Sequence, residues 1–141
     1  MQRLAWIACA AALGLASPAL ADPCEAPVTG YAPGAKVAGK IRYVVDGDGI
    51  CVGAGSDPRT WTEIRLADFY APETSTPAGQ AAAAAMSRMV MGKTAECIAQ
   101  RSDRGPQTFT YDRLIAVCRI DGTSVGEMMK RAGIGQGGRG R

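Results

Sequence analysis

The stretch that decides the fold reads Val-Val-Asp-Gly-Asp-Gly-Ile at residues 44–50 and Arg-Leu-Ala-Asp-Phe-Tyr-Ala-Pro-Glu at residues 65–73. Asp-Gly between apolar, β-branched residues is a strong signal for a hairpin turn. We therefore predict strands over residues 36–45 and 49–52 around this turn. A third strand is predicted over residues 61–67, ahead of the Ala-Pro-Glu corner.

Two helices are predicted from their capping residues. Thr76 is a typical N-cap with Pro77 at the first helical position, and the first helix is expected to end at Gly92. Ser124 and Glu127 have the spacing of a capping box, which predicts the start of a second helix.

Two further strands complete the predicted fold. The runs at residues 93–99 and 111–120 are apolar and are expected to form neighbouring strands joined by a polar loop. Five strands with a helix inserted after the third predict a mainly β, α+β protein. Its expected architecture is a small five-stranded barrel of the oligonucleotide-binding (OB) type with two helices.

The first residues have the pattern of a secretory signal peptide. Residues 1–21 carry one charge, at Arg3, followed by an apolar run over residues 4–15 and then small residues before Asp22. The apolar run is too short for a membrane-spanning helix. We expect cleavage before Asp22 and a mature product, without a membrane anchor, in the periplasm or outside the cell.

The mature chain has the length of one domain. An irregular arm rich in Pro and Gly is expected over residues 22–36, the domain proper over residues 37–134, and a flexible Gly/Arg tail over residues 135–141. We expect a monomer.

The cysteine count agrees with export. Cys9 leaves with the signal, and the remaining four cysteines form an even set in an oxidising compartment. Cys97 and Cys118 lie in the two neighbouring apolar strands, where a cross-strand disulfide is geometrically reasonable. Cys24 is then assigned to Cys51 by elimination alone. No pair has C-x-x-C spacing, so neither a redox motif nor a zinc site is expected.

The absence of histidine limits the possible chemistry. It excludes Ser-His-Asp and Cys-His nucleophile systems and every histidine general base. An acid or base catalyst must be a carboxylate, a tyrosine, a cysteine or a lysine. The net charge of +3 falls to +2 when Arg3 leaves, which merely permits a polyanionic substrate.

The remaining charged residues indicate phosphoryl chemistry. Arg65 and Arg113 each present a fork of donors that fits two phosphate oxygens, and Asp46 and Asp48 offer the hard oxygen ligands that calcium or magnesium prefers. Glu73 follows a proline that stiffens the backbone, so it is our candidate base. Each residue also has a purely structural interpretation, as a turn aspartate, a strand arginine or a corner charge.

Four ordered pieces of the chain resemble the staphylococcal nuclease-like (thermonuclease) family. They are residues 44–50, residues 64–74, the Tyr-Asp-Arg-Leu-Ile-Ala run at residues 111–116, and the Asp-Gly turn at residues 121–122 that leads into a helix. The resemblance covers about residues 37–134. It implies an OB-like barrel that cuts phosphodiesters in DNA and RNA with little sequence preference. The Cys97–Cys118 pair also resembles one found in secreted members.

Site roles follow from this resemblance. It implies that Asp48 ligates calcium with support from Asp46, and that Arg65 and Arg113 clamp the scissile phosphate. Glu73 would activate or orient the attacking water.

The sequence departs from the family pattern in the metal site. Tyr70 stands where the family has a second calcium-ligating aspartate, with Asp68 nearby, and Gly49 replaces a threonine. Asp112 replaces a glycine, and its carboxylate could mask the charge of Arg113. Loss of one carboxylate ligand implies weak calcium binding and reduced or absent cleavage.

The alternative is therefore a catalytically inactive barrel that binds nucleic acid or a protein partner. A third interpretation is a disulfide-stabilised envelope component that uses neither surface.

Overall fold

The computed structural model describes residues 21–138. Apart from Ala21, the predicted signal peptide lies outside the described residues, as does the predicted tail beyond residue 138.

A closed five-stranded barrel forms the body of the protein, as predicted. Four of its strand contacts are antiparallel, and the parallel pairing of the third and fifth barrel strands closes the sheet. Two short strands extend the sheet beside the fifth barrel strand. In chain order the strands are β1 (Lys36–Val44), β2 (Gly49–Gly53), β3 (Thr62–Leu66), β4 (Thr94–Ala99), β5 (Phe109–Thr110), β6 (Arg113–Ile120) and β7 (Thr123–Ser124). The barrel strands are β1, β2, β3, β4 and β6, and the two short strands are β5 and β7.

Both predicted helices are confirmed. Helix α1 spans Pro77–Val90, and the N-cap Thr76 accepts a hydrogen bond from the amide of Gly79. Helix α2 spans Val125–Arg131 after the N-cap Ser124.

The capping box at α2 is only half formed. The Ser124 hydroxyl accepts from the Glu127 amide, but the Glu127 carboxylate pairs with Lys130 rather than returning to the N-cap. A short 3-10 helix at Pro58–Thr60 was not predicted. It is capped by Asp57, whose side chain accepts from the Arg59 amide.

Strand alternation separates a core face from an outer face. On β3 the side chains of Ile64 and Leu66 enter the apolar core, so Glu63 and Arg65 lie on the opposite, outer face. The parallel register places Arg65 of β3 opposite Ile115 of β6. This outer face of β3 and β6 carries the site described below.

Both disulfide assignments are confirmed. Cys97 and Cys118 face each other directly in the β4–β6 ladder and are bonded, and the Cys24–Cys51 bond ties the N-terminal arm to β2. Two structural disulfides fit an oxidising compartment. Within residues 21–138, no helix is long and apolar enough to cross a membrane.

The segment predicted as a flexible tail begins with an ordered contact. Gln136 and Gly137 hydrogen-bond to the backbone of Tyr70, which lies in the loop after β3. The tail composition could not indicate this contact, because the partner lies 66 residues away in the chain.

Candidate functional site

An open cleft of about 930 Å³ lies on the outer face of the barrel. Its floor is formed by β3 and β6. Its walls are formed by the loop at residues 71–74 and by residues 102–111, which include the short strand β5. The structure brings together in this cleft all five residues predicted for metal binding and catalysis. The charged residues that line the cleft are Asp46, Asp48, Arg65, Glu73, Arg104 and Arg113.

The Asp-Gly-Asp turn between β1 and β2 forms one edge of the cleft. Asp46 accepts a hydrogen bond of 3.0 Å from the Asp48 amide through Oδ1, which stabilises the turn locally. Gly47 is required by packing, because a Cβ there would lie 2.6 Å from the Cβ of Ala71. The turn and the Ala-Pro-Glu corner are therefore in direct contact.

Asp48 is the buried carboxylate of the site. Its Oδ2 accepts a hydrogen bond of 2.9 Å from the Ala71 amide and lies 3.3 Å from a terminal guanidinium nitrogen of Arg65. Burial raises the pKa of Asp48 to about 7, and repulsion from Asp46 adds to the rise. The Arg65 guanidinium and the hydrogen bond from the Ala71 amide partly lower the pKa of Asp48 again.

Arg65 reaches the cleft floor from β3. Its side chain is 15% exposed, and its buried Nε has no hydrogen-bond acceptor within the described residues 21–138. A buried donor without an acceptor is rare in native proteins and suits an anionic ligand.

Arg113 supplies a second guanidinium on the neighbouring strand. Ile115, the residue opposite Arg65, lies two positions after Arg113 on β6. Because side chains two apart share one face of a strand, Arg113 points to the same side of the sheet as Arg65 and Ile115, and all three line the cleft.

Glu73 is held at the cleft by the first turn of α1. Its carbonyl oxygen accepts from the Thr76 amide at 2.9 Å and from the Thr76 hydroxyl at 2.7 Å. Gly79 allows this approach, because a Cβ there would lie 1.9 Å from the Glu73 carbonyl oxygen. The backbone of the candidate base is therefore fixed, while its side chain remains exposed.

The residues that depart from the family pattern lie outside the cleft lining. The Tyr70 side chain is not part of that lining. The Asp68 carboxylate accepts the Ser124 hydroxyl hydrogen bond at the start of α2, so it does not replace the missing cation ligand in the cleft. Asp112 is exposed, and no ion pair joins it to Arg113 in the described part of the chain.

Asp46 and Asp48 are the residues in the cleft that could hold a hard divalent cation. Their two carboxylates line the same cleft and offer the oxygen ligands that such an ion prefers. The set is small, since one oxygen of Asp48 is already engaged by Ala71 and Arg65. Few carboxylate ligands predict weak binding.

A second cluster has the composition but not the chemistry of a metal site. Asp22, Cys24 and Cys51 are the only group of three metal-ligating side chains found close together within residues 21–138. Both sulfurs belong to one disulfide, so neither is available as a thiolate ligand.

Sequence reasoning missed the wall formed by the loop before β6. Arg104 adds a cationic side chain to the cleft, and Tyr111 lies at its rim with 87% of its surface exposed. Tyr111 has a left-handed backbone, with φ of 54°, which is uncommon for a residue other than glycine. The basic and polar composition of residues 100–107 was the available signal.

Glu63 was also missed. It lies on the outer face of β3 two residues before Arg65, and only 4% of its surface is exposed. Burial raises the pKa of Glu63 to about 7, and the carboxylates of Asp22 and Asp112 contribute to the rise, while Arg113 lowers it. A buried glutamate between Thr62 and Ile64 gives no distinctive sequence pattern.

No protein-family model matches this chain, and no curated protein matches it.

Proposed function

We propose that this protein hydrolyses phosphodiester bonds in DNA or RNA, with the charged cleft as its active site. The observation that carries the proposal is the convergence of Arg65, Arg113 and Glu73 on one open cleft. The buried Nε of Arg65, without an acceptor in the described residues, adds a donor that suits a phosphate oxygen. The motif resemblance to the staphylococcal nuclease-like family leads to the same function.

The roles of the residues follow from their chemistry. Arg65 and Arg113 bind the non-bridging oxygens of the scissile phosphate and neutralise the charge that grows in the transition state. Glu73 accepts a proton from the attacking water, since the chain has no histidine to perform this task. The fixed backbone of Glu73 favours a defined position for its carboxylate.

Calcium is the proposed cofactor. Asp48 would hold the ion with support from Asp46, and a bound cation would supply positive charge beside the phosphate.

Substrate strands lying in the cleft would also meet Tyr111. Its exposed ring offers a surface on which a base can stack without sequence preference. We further propose that the protein acts as a monomer in the periplasm or outside the cell. The two disulfides support this location.

A non-catalytic nucleic-acid-binding barrel is the second candidate function. The pairing of Asp48 with Arg65 favours it, because an engaged carboxylate with a raised pKa is a poor cation ligand. In this case the arginines would still bind phosphate, but no cleavage would follow.

Binding and cleavage of labelled single-stranded DNA by Glu73→Gln separate the two candidates. If the protein is a nuclease, Glu73→Gln should bind DNA with unchanged affinity and should lower turnover by about a hundredfold or more. Glu96→Gln is the matched control, because Glu96 is exposed on β4 and pairs with Lys36 outside the cleft. Binding without cleavage by the unaltered protein would support the second candidate. Absence of both binding and cleavage in the unaltered protein would contradict both candidate functions.

A further inference from the structure

Residues 134–138, here called the C-terminal strap, lie against the loop that follows β3. The amide of Ile134 donates to the Met129 carbonyl at 3.2 Å, and the Ile134 side chain packs against the core. Further along, Gln136 Oε1 accepts from the Tyr70 amide at 3.0 Å, and the Gly137 amide donates to the Tyr70 carbonyl at 3.1 Å. Both backbone polar groups of Tyr70 are therefore bonded to the strap.

The strap continues to the edge of the cleft at Gly138. This residue has φ of +76°, and a Cβ there would lie 2.2 Å from the Ala71 carbonyl oxygen. The same Cβ position is 3.9 Å from a carboxylate oxygen of Glu73. Only glycine fits this contact, because a side chain would clash with backbone and would also strain the left-handed conformation.

One peptide group connects the strap to the buried carboxylate of the site. The peptide between Tyr70 and Ala71 accepts from Gly137 through its carbonyl oxygen and donates to Asp48 through its N–H. Hydrogen bonds at the two ends of a peptide group polarise and orient one another. Asp48 in turn pairs with Arg65, so a continuous set of contacts runs from the strap to the candidate phosphate ligand.

We propose that the C-terminal strap is a positioning element of the site. Gly137 bonds to the Tyr70–Ala71 peptide, and Gln136 and Gly138 contact the peptide groups on either side of it. Together they orient the Ala71 N–H toward Asp48, and Asp48 holds Arg65 in the cleft. The strap acts through these backbone contacts rather than as a catalytic group. Its catalytic consequence rests on the proposed nuclease function, whereas its structural consequence does not.

Gly138→Ala and Gln136→Ala test the positioning role, with Gly135→Ala and Gln136→Glu as controls. A Cβ at position 135 meets no atom within 4 Å, and glutamate at position 136 keeps the acceptor oxygen for the Tyr70 amide. Gln136 is exposed, so its replacement leaves the core packing unchanged and covers the case in which Gly138→Ala fails to fold.

Amide hydrogen exchange at Tyr70 and Ala71 is the first measurement, and it needs no activity. We expect exchange at Ala71 to be about tenfold faster in Gly138→Ala and exchange at Tyr70 to be faster in Gln136→Ala. Both controls should exchange like the unaltered protein. Unchanged exchange in both test variants would overturn the proposal.

Cleavage kinetics are the second measurement. Gly138→Ala should lower kcat by about tenfold or more, because small displacements of catalytic groups cost that much, while KM changes little. Absence of cleavage in the unaltered protein, with faster exchange in the variants, would reject the nuclease function and retain the strap. Faster exchange with unchanged kcat would overturn the positioning role.

Discussion

The guanidinium of Arg65 lies 3.3 Å from the carboxylate of Asp48, and both side chains are largely shielded from solvent. A phosphate that binds Arg65 must therefore share this guanidinium with Asp48. Removing one member of a buried pair leaves the other charge uncompensated, so the two residues are expected to act as a unit. The pair lies where the candidate cation site and the candidate phosphate site meet.

Arg113→Ala should lower turnover more than substrate affinity. Under the proposed function Arg113 would contact phosphate most strongly as negative charge grows, and losing one such donor costs about 3 kcal/mol of transition-state stabilisation. Single-turnover cleavage of labelled DNA measures the effect. Arg119→Ala is the control, because Arg119 lies on the same strand but is exposed and outside the cleft. Equal effects of the two substitutions would assign Arg113 to structure.

Tyr70→Asp should raise the affinity for calcium. Although the Tyr70 side chain lies outside the cleft lining, position 70 directly precedes Ala71, a lining residue whose amide bonds to Asp48. A carboxylate at position 70 would therefore lie beside the existing pair. A third carboxylate strengthens calcium binding if its oxygen comes within about 2.3 to 2.6 Å of the ion.

Titration calorimetry measures this change, with Tyr43→Asp as the control for an added charge on an exposed tyrosine outside the cleft. No gain in a folded Tyr70→Asp variant would show that position 70 does not face the ion.

Glu63→Gln should stabilise the protein at alkaline pH. Burial raises the pKa of Glu63 from its ordinary value of 4.5 to about 7, so the folded state binds the proton more tightly than the unfolded state does. This stabilising contribution is complete below about pH 4.5 and is lost as the pH rises through about 7, with a slope of at most about 1.4 kcal/mol per pH unit.

Urea unfolding at pH 4.5 and pH 8 shows whether the substitution raises the free energy of unfolding at the higher pH. Glu63→Gln should match the unaltered protein at the lower pH and exceed its free energy of unfolding at the higher pH. A constant difference between the two proteins at both pH values would show that Glu63 does not titrate in this range.

Replacing both Cys97 and Cys118 by alanine should lower the free energy of unfolding by about 3 kcal/mol. The bond closes a loop between residues 21 positions apart, and loops of this size confer about that stabilisation in the chain-entropy model. Urea denaturation of the variant under oxidising conditions gives the value. Full retention of stability would show that the disulfide adds nothing measurable to the stability of the folded barrel.

Local signals predicted the barrel and its helices well. The Asp-Gly turn and the Thr76-Pro77 cap act through neighbouring residues, so their physical cause is visible in the sequence. The resemblance to the nuclease-like family also predicted which charged residues line the cleft. These features depend on short-range chemistry or on spacing that recurs in a known fold.

Long-range contacts explain what the sequence did not reveal. The Asp68 carboxylate accepts a hydrogen bond from Ser124 at the start of α2, and Gln136 bonds to Tyr70, which lies 66 residues earlier in the chain. Glu63 is buried although its residue type is usually exposed. Each contact arises from packing between distant segments, and no local pattern encodes it.

Digestion of single-stranded DNA by the purified mature protein tests the central claim most directly. The chain should cut DNA when calcium is present, lose that activity on addition of a chelator, and recover it when calcium is restored. Intact DNA under all three conditions, with a correctly folded and disulfide-bonded protein, would contradict the claim that the cleft is a nuclease active site.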